Sequence, residues 1–180
     1  MDSTLLFIII VAAIIVVILV ATAYNSLISL RNKVKEAFAT MDVYLKKRHD
    51  LVPSLVTVVK GYAHHEAQTL QDIAQMRNPA ASIPERIGNE TQLHTALERL
   101  MVVAEAYPEL KANSNFLDLQ NQLTKIEEDI AFSRRYYNGA VREFNNKCQM
   151  FPSSIIAGMF GFKPATMFEA SADDKAVPTL

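Results

Sequence analysis

The chain has 180 residues, with 18 basic and 19 acidic side chains, a net charge of −1 and one cysteine, Cys148. So even a balance offers no electrostatic footprint for nucleic acid, and a lone cysteine excludes an internal disulfide and any multi-cysteine metal centre. Five glycines, no tryptophan and no alternating apolar run closed by a hairpin signal point to an all-α protein.

The first element is the most apolar. No charged side chain occurs in residues 3–30, and residues 5–23 are apolar or small, without proline or glycine. As a helix that run is about 28 Å long, close to the roughly 30 Å of bilayer hydrocarbon. An isolated segment there satisfies its backbone only as a helix, so a single membrane span is predicted, with the lipid bilayer as its partner. A cleaved leader needs a basic start and a shorter apolar core. Here the four residues before the run carry no Lys or Arg, and only Ala21-Thr22-Ala23 resembles a cleavage site. A retained anchor over residues 1–24 is therefore expected. Arg31, Lys33 and Lys35 follow it, with Lys46, Lys47 and Arg48 beyond, so the positive-inside bias predicts an outside N-terminus and a cytoplasmic bundle, Tyr24 lying at the inner interface.

The same helix is predicted to continue to about Arg77. Leu27, Leu30, Val34, Ala37, Met41, Tyr44, Arg48, Leu51, Leu55, Val58 and Tyr62 keep a 3-4 spacing with one charged member, and Phe38, Leu45, Val52 and Val59 form a second row beside it. Two adjacent rows make the broad stripe of a helix packed in a bundle or coiled coil. Pro53 is expected to bend this helix and Gly61 to soften it. Residues 79–89, with two prolines and a glycine, are predicted to be a loop with room for one helical turn. A second helix follows Asn89, with Leu93, Leu97, Leu100 and Ala104 on one face, and ends near Pro108. Asn113-Ser114-Asn115 supplies polar caps for a long third helix carrying Phe116, Leu123, Ile130, Tyr137 and Phe144. The Asn138-Gly139 pair lies inside that helical pattern. Pro152 closes it, residues 153–162 form a short apolar piece, and residues 163–180 form a tail that is partly disordered. The predicted organisation is thus an anchor over 1–24, an elongated antiparallel bundle of three to four helices over 25–162, and the tail.

Several ordered blocks in this sequence carry a resemblance. They are Arg48-His49-Asp50-Leu51-Val52-Pro53-Ser54-Leu55, Lys60-Gly61-Tyr62-Ala63-His64-His65-Glu66, Ala106-Tyr107-Pro108-Glu109-Leu110-Lys111-Ala112-Asn113, and Glu127, Ile130, Arg134, Tyr137-Asn138, Val141, Phe144-Asn145 and Phe151-Pro152-Ser153 in turn. Together with the N-terminal span, their order resembles the LemA family of membrane proteins, from about residue 5 to Phe168. The resemblance implies an anchored antiparallel helical bundle and brings no activity with it. Phe144 stands where the family often shows a tyrosine.

Groups able to do chemistry are sparse. His64 and His65 are adjacent and point about 100° apart on a helix, unlike the four-residue spacing of a helical zinc pair. His49 and His94 stand alone, and no serine sits in a nucleophile elbow. Cys148 lies near a helix C-terminus, away from the positive field that activates a thiol. The expected function is therefore a membrane-anchored, non-catalytic helical scaffold, without cofactor or metal, that binds itself and other membrane or envelope proteins. The alternative is an enzyme, or an enzyme subunit, built from Lys60, Glu66, Glu127, Arg134 and Tyr137.

Two structural expectations follow from counting residues along the helices. If the chain first reverses near residue 78, Arg134 comes level with Glu66 and bridges it or Glu127. The membrane-proximal stripe is then left uncovered, and a parallel homo-oligomer is expected through Leu27, Leu30, Val34, Phe38, Met41 and Leu45, with Arg48 on the seam.

Overall fold

The computed structural model describes residues 3–62, 64–75 and 81–168, and every regular element among them is a helix. These are α1 (Ser3–Val59), α2 (His64–Gln75), α3 (Ile83–Ala104), α4 (Pro108–Lys111), α5 (Ser114–Gln149) and α6 (Ser153–Met159). The chain falls into two compact units, one formed by residues up to Phe38 with those from Tyr136 on, the other by residues 39–135. Helices α1 and α5 contribute to both.

In the first unit, α1 begins as a helix long and apolar enough to cross a membrane, with none of that stretch buried. An exposed apolar helix of this length fits a membrane anchor. Burial starts where the stripe starts, at Leu27, and continues at Val34, Ala37 and Phe38. The C-terminal half of α5 lies along this face. The Phe38 and Tyr137 rings meet edge to face at 5.7 Å, and Lys33 Nζ reaches Glu143 at 2.7 Å, so numbers rise on one helix as they fall on the other. The two helices are antiparallel.

After α5 the chain turns through Phe151-Pro152 into α6. Gly161, at φ 68°, adopts the left-handed conformation that side chains resist, and the backbone then doubles back along α5. Residues 163–168 are held there by side chains. Asn145 accepts from the Ala165 N–H and donates to its carbonyl, Asn138 does the same for Phe168, and the Tyr137 hydroxyl donates to the Thr166 carbonyl at 2.7 Å.

The second unit is built on the distal half of α1. Val52, Leu55 and Val59 form its core with Leu93, Leu97 and Leu100 of α3, Leu110 of α4, and Phe116 and Leu123 of α5. The first helix does not run on to Arg77. It ends at Val59, and a turn over residues 60–62 separates it from α2. Gln71 and Gln75 line the same cleft as His49, Pro53 and Thr57, which a straight continuation would leave about 21 Å or more away, so α2 folds back.

Helix α3 also begins earlier than its sequence suggested. Ser82 and Glu85 explain the difference: the Glu85 carboxylate accepts from both the backbone N–H and the hydroxyl of Ser82, half of a capping box, and Pro84 sits in the first turn, where no N–H is needed. The predicted loop is mostly helix. Asn113 does cap α5, accepting from the N–H groups of Asn115 and Phe116.

The extra reversal at residues 60–62 changes the direction of every later helix. Arg86 pairs with Asp42, while Glu90 pairs with Arg48 and His49, so α3 runs parallel to α1. Helix α5 runs antiparallel here too, with Glu127 at Arg48, and with Asp118 and Gln122 across a cleft from Thr57 and Val58. The premise of an uncovered seam therefore does not hold. Leu27, Val34, Phe38, Met41, Leu45 and Arg48 are all buried within the single chain, and Leu30 is half-buried.

Candidate functional site

The stripe of α1 carries one charged residue into the second unit, and the other helices supply its partners. Arg48 is 2% exposed. Its Nη2 donates to Glu90 Oε2 at 2.5 Å and to the Glu90 carbonyl at 3.2 Å, and its Nη1 donates to Glu127 Oε1 at 2.9 Å. The other Glu90 oxygen accepts from His49 Nε2 at 2.9 Å, while Glu127 Oε2 lies 3.6 Å from His94 Nδ1, whose Nε2 is 3.3 Å from Glu98. One guanidinium thus joins two carboxylates, each backed by a histidine. Among the described residues the Arg48 Nε has no hydrogen-bond partner.

Opposing effects set the charges. Burial alone raises the pKa of Glu90, but the hydrogen bond from His49 and the charge of Arg48 outweigh it and hold the carboxyl below its ordinary value. For Glu127 burial again raises, and the His94 hydrogen bond with Arg48 overcomes it. The hydrogen bond to Glu127 raises the pKa of His94 against burial, with the Glu127 and Glu98 charges adding to it. Both carboxylates are therefore held ionised around Arg48, and the ion cluster is largely satisfied by its own members.

Two openings flank it. His49 lines the cleft of about 560 Å³ between α1 and α2. On the other side, a groove of about 420 Å³ runs between α3 and α5, with Leu97, Met101 and Leu123 along it and His94, Glu98, Glu127 and Glu128 among its polar groups. The helical stripes that wall it continue to Val102 on α3 and Phe132 on α5, both large, apolar and strongly exposed. Among the described residues that line it there is no Lys or Arg.

Of the polar residues singled out in the sequence, Arg48 and Glu127 are brought together. Arg134 is half-buried and engaged in an interaction of its own, and the Glu66 side chain, like that of His64, lies outside the described residues. Tyr137 belongs to the other unit, where its hydroxyl is used by Thr166, and Lys60 is exposed. The groove takes Glu127 from the alternative catalytic set and none of the others. His49 and His94, which looked isolated along the chain, each pair with a glutamate, the buried Glu90 and the half-buried Glu127. Glu90 was missed altogether; the one local signal pointing to such an acid was Arg48, a cation on an otherwise apolar stripe that requires a buried counter-charge. Cys148 is buried, and burial pushes its thiol pKa up, as for a packing residue.

Comparison with known proteins gives the same family from the sequence as a whole. The family model described as "LemA family" matches residues 37–180. The chain is 24% identical over 151 residues to Protein LemA of Metamycoplasma hominis, covering 82% of this chain and 69% of the relative. It is 23% identical to Magnetosome protein MamQ 2 of Paramagnetospirillum magneticum over 186 aligned residues, 87% of this chain and 68% of that one. A similar likeness, at 21%, extends to Magnetosome protein MamQ of Magnetospirillum gryphiswaldense, again over 87% and 68% of the two chains. An exposed apolar helix leading into an antiparallel bundle, and a family match over most of the chain, lead to one conclusion: this protein belongs to the LemA family.

Proposed function

We propose that this protein is a membrane-anchored, non-catalytic scaffold whose partner-binding surface is the groove between α3 and α5, and that the occupant is an amphipathic helix with basic flanks. The groove carries this reading. Its apolar residues offer a helix a face to bury, Glu98 and Glu128 supply negative charge beside the Arg48-paired Glu127, and the twelve residues of α5 from Gln120 to Ala131, about 16 Å, match two to three turns of a ligand helix. The ionisable groups inside the bundle are engaged with one another, which supports a structural rather than a reactive role for them. The names its relatives carry are not those of enzymes, in keeping with this reading.

In this proposal the bundle is cytoplasmic, following Arg31, Lys33 and Lys35 just past the span. Self-association remains part of it, but through the exposed faces of the span, because the seam residues 27–48 are already covered within one chain. The test uses the purified full chain in uncharged detergent and labelled synthetic helices. A Leu/Lys amphipathic helix should bind, a Leu/Glu helix should not, and Glu98→Lys with Glu128→Lys should abolish binding. Equal binding by the charge-reversed variant would overturn the assignment.

A further inference from the structure

The first unit carries a large apolar surface that its other described residues do not cover. Met150, Phe151, Ile155, Met159 and Phe160 are all exposed, Phe151 at 80% and Met159 at 72%, while Ile156 and Ala157 between them are buried. Helix α6 therefore presents one face inward and an unpartnered apolar face outward. Monomeric proteins rarely leave such a cluster against water.

Its position says what covers it. Lys33 contacts Glu143, and α5 continues six residues further to Gln149, about 9 Å, which brings its end level with Leu27 of α1. Beyond α6 the Phe160 ring lies 4.8 Å from the Tyr24 ring, and the Phe162 ring lies 5.8 Å from it. Tyr24 is the residue immediately after the apolar run of α1. Both ends of α6 are thus placed where the span leaves the hydrocarbon. Arg31, whose guanidinium sits 5.2 Å from the centre of the Phe162 ring, adds a cation at headgroup depth.

We infer that α6 and its flanks dock into the surface of the same bilayer that α1 spans, inserting Phe151, Ile155 and Met159 at the headgroup boundary as a second membrane contact. This rests on α1 being a span, and it differs from a span in kind, since seven helical residues lie in an interface and cannot cross it. The continuity of the patch with the exit point of α1 selects lipid over a protein partner.

The chain has no tryptophan, so single substitutions report one position each. Phe151→Trp, Met159→Trp, Ile14→Trp and Val102→Trp are made in the full chain, reconstituted in phosphatidylcholine vesicles with bromine near the headgroup or deep in the acyl chains. Trp at 151 and 159 should emit at shorter wavelength than Trp at 102 and lose most of its emission to shallow bromines, whereas Trp at 14 should respond to deep ones and Trp at 102 to neither. If 14 is quenched while 151 and 159 are not, the docking inference is wrong and the span stands. If 14 is not quenched either, the span fails and takes the inference with it. A blue-shifted, unquenched Trp at 159 whose shift disappears on dilution with lipid means that a second copy covers the patch, which also overturns it.

Discussion

Arg48 and Glu90 meet at 2.5 Å inside the second unit, in a place almost no water reaches. Removing either partner alone strands a buried charge, whereas removing both leaves only Glu127 without its cation, and that carboxylate is half-buried and keeps His94 beside it. Arg48→Met should therefore cost about 3–5 kcal/mol, the range for breaking one side of a buried pair. Arg48→Met combined with Glu90→Leu should recover a large part of that loss. Denaturant unfolding of the full chain in mild detergent, followed by circular dichroism, reads both values; a double variant no more stable than the single one would contradict the account.

Stability should also depend on pH with a defined shape. Glu90 and Glu127 have folded pKa values below their ordinary 4.5, so their contribution is present above that value and is lost as pH falls through the lower folded values. His94 has a folded pKa above its ordinary 6.5, so its contribution is complete below 6.5 and is lost as pH rises through the raised value. The second unit should be most stable between about 4.5 and 6.5 and weaken on both sides. His94→Gln should flatten the alkaline limb and leave the part of the acid limb that belongs to Glu90. Denaturation midpoints across pH, alongside an NMR titration of the His94 ring, check the sign directly.

The antiparallel run of α1 and α5 makes a covalent prediction. Lys33 and Glu143 are in direct contact at 2.7 Å, so a zero-length carbodiimide reagent should join them within one chain. In a Cys148→Ser background, cysteines at 34 and 41 should not form interchain disulfides in membranes, because the native side chains at both positions are buried. Rapid dimer formation through 34 or 41 would show that the seam opens.

Asn138 and Asn145 each hold one residue of the doubled-back segment by two hydrogen bonds. Asn138→Ala should raise amide hydrogen exchange at Phe168 and leave Ala165 protected. Asn145→Ala should do the reverse. With a net worth of about 0.5–1.5 kcal/mol per bond, each change should cost about 1–3 kcal/mol locally, without unfolding the second unit.

The packing faces were legible because periodicity reports them. Leu27, Ala37, Met41 and Leu55 on one row, and Leu45, Val52 and Val59 on the next, are buried as their spacing required. The reversal after Val59 was not legible, since Tyr62 continues the 3-4 series across it and a turn of three residues leaves no gap in the pattern. That one omission inverted the expected direction of α5, placed Arg134 level with Glu66, and left a seam apparently bare. The polar cluster was half visible. Arg48 stood out against its apolar row, but Glu90 and Glu127 are local spacings like any exposed glutamate, and only the register between distant helices brings them to one guanidinium.

Helix α1 is unbroken beyond the apolar run to the end of its stretch in the first unit, with no glycine or proline between Ala23 and Phe38. Those fifteen residues extend about 22 Å as one rod, stiffened along one side by α5. Such a rod is a lever. A span of fixed length tilts when its bilayer thins, and a tilt of about 20° would swing the far end of this rod by about 8 Å.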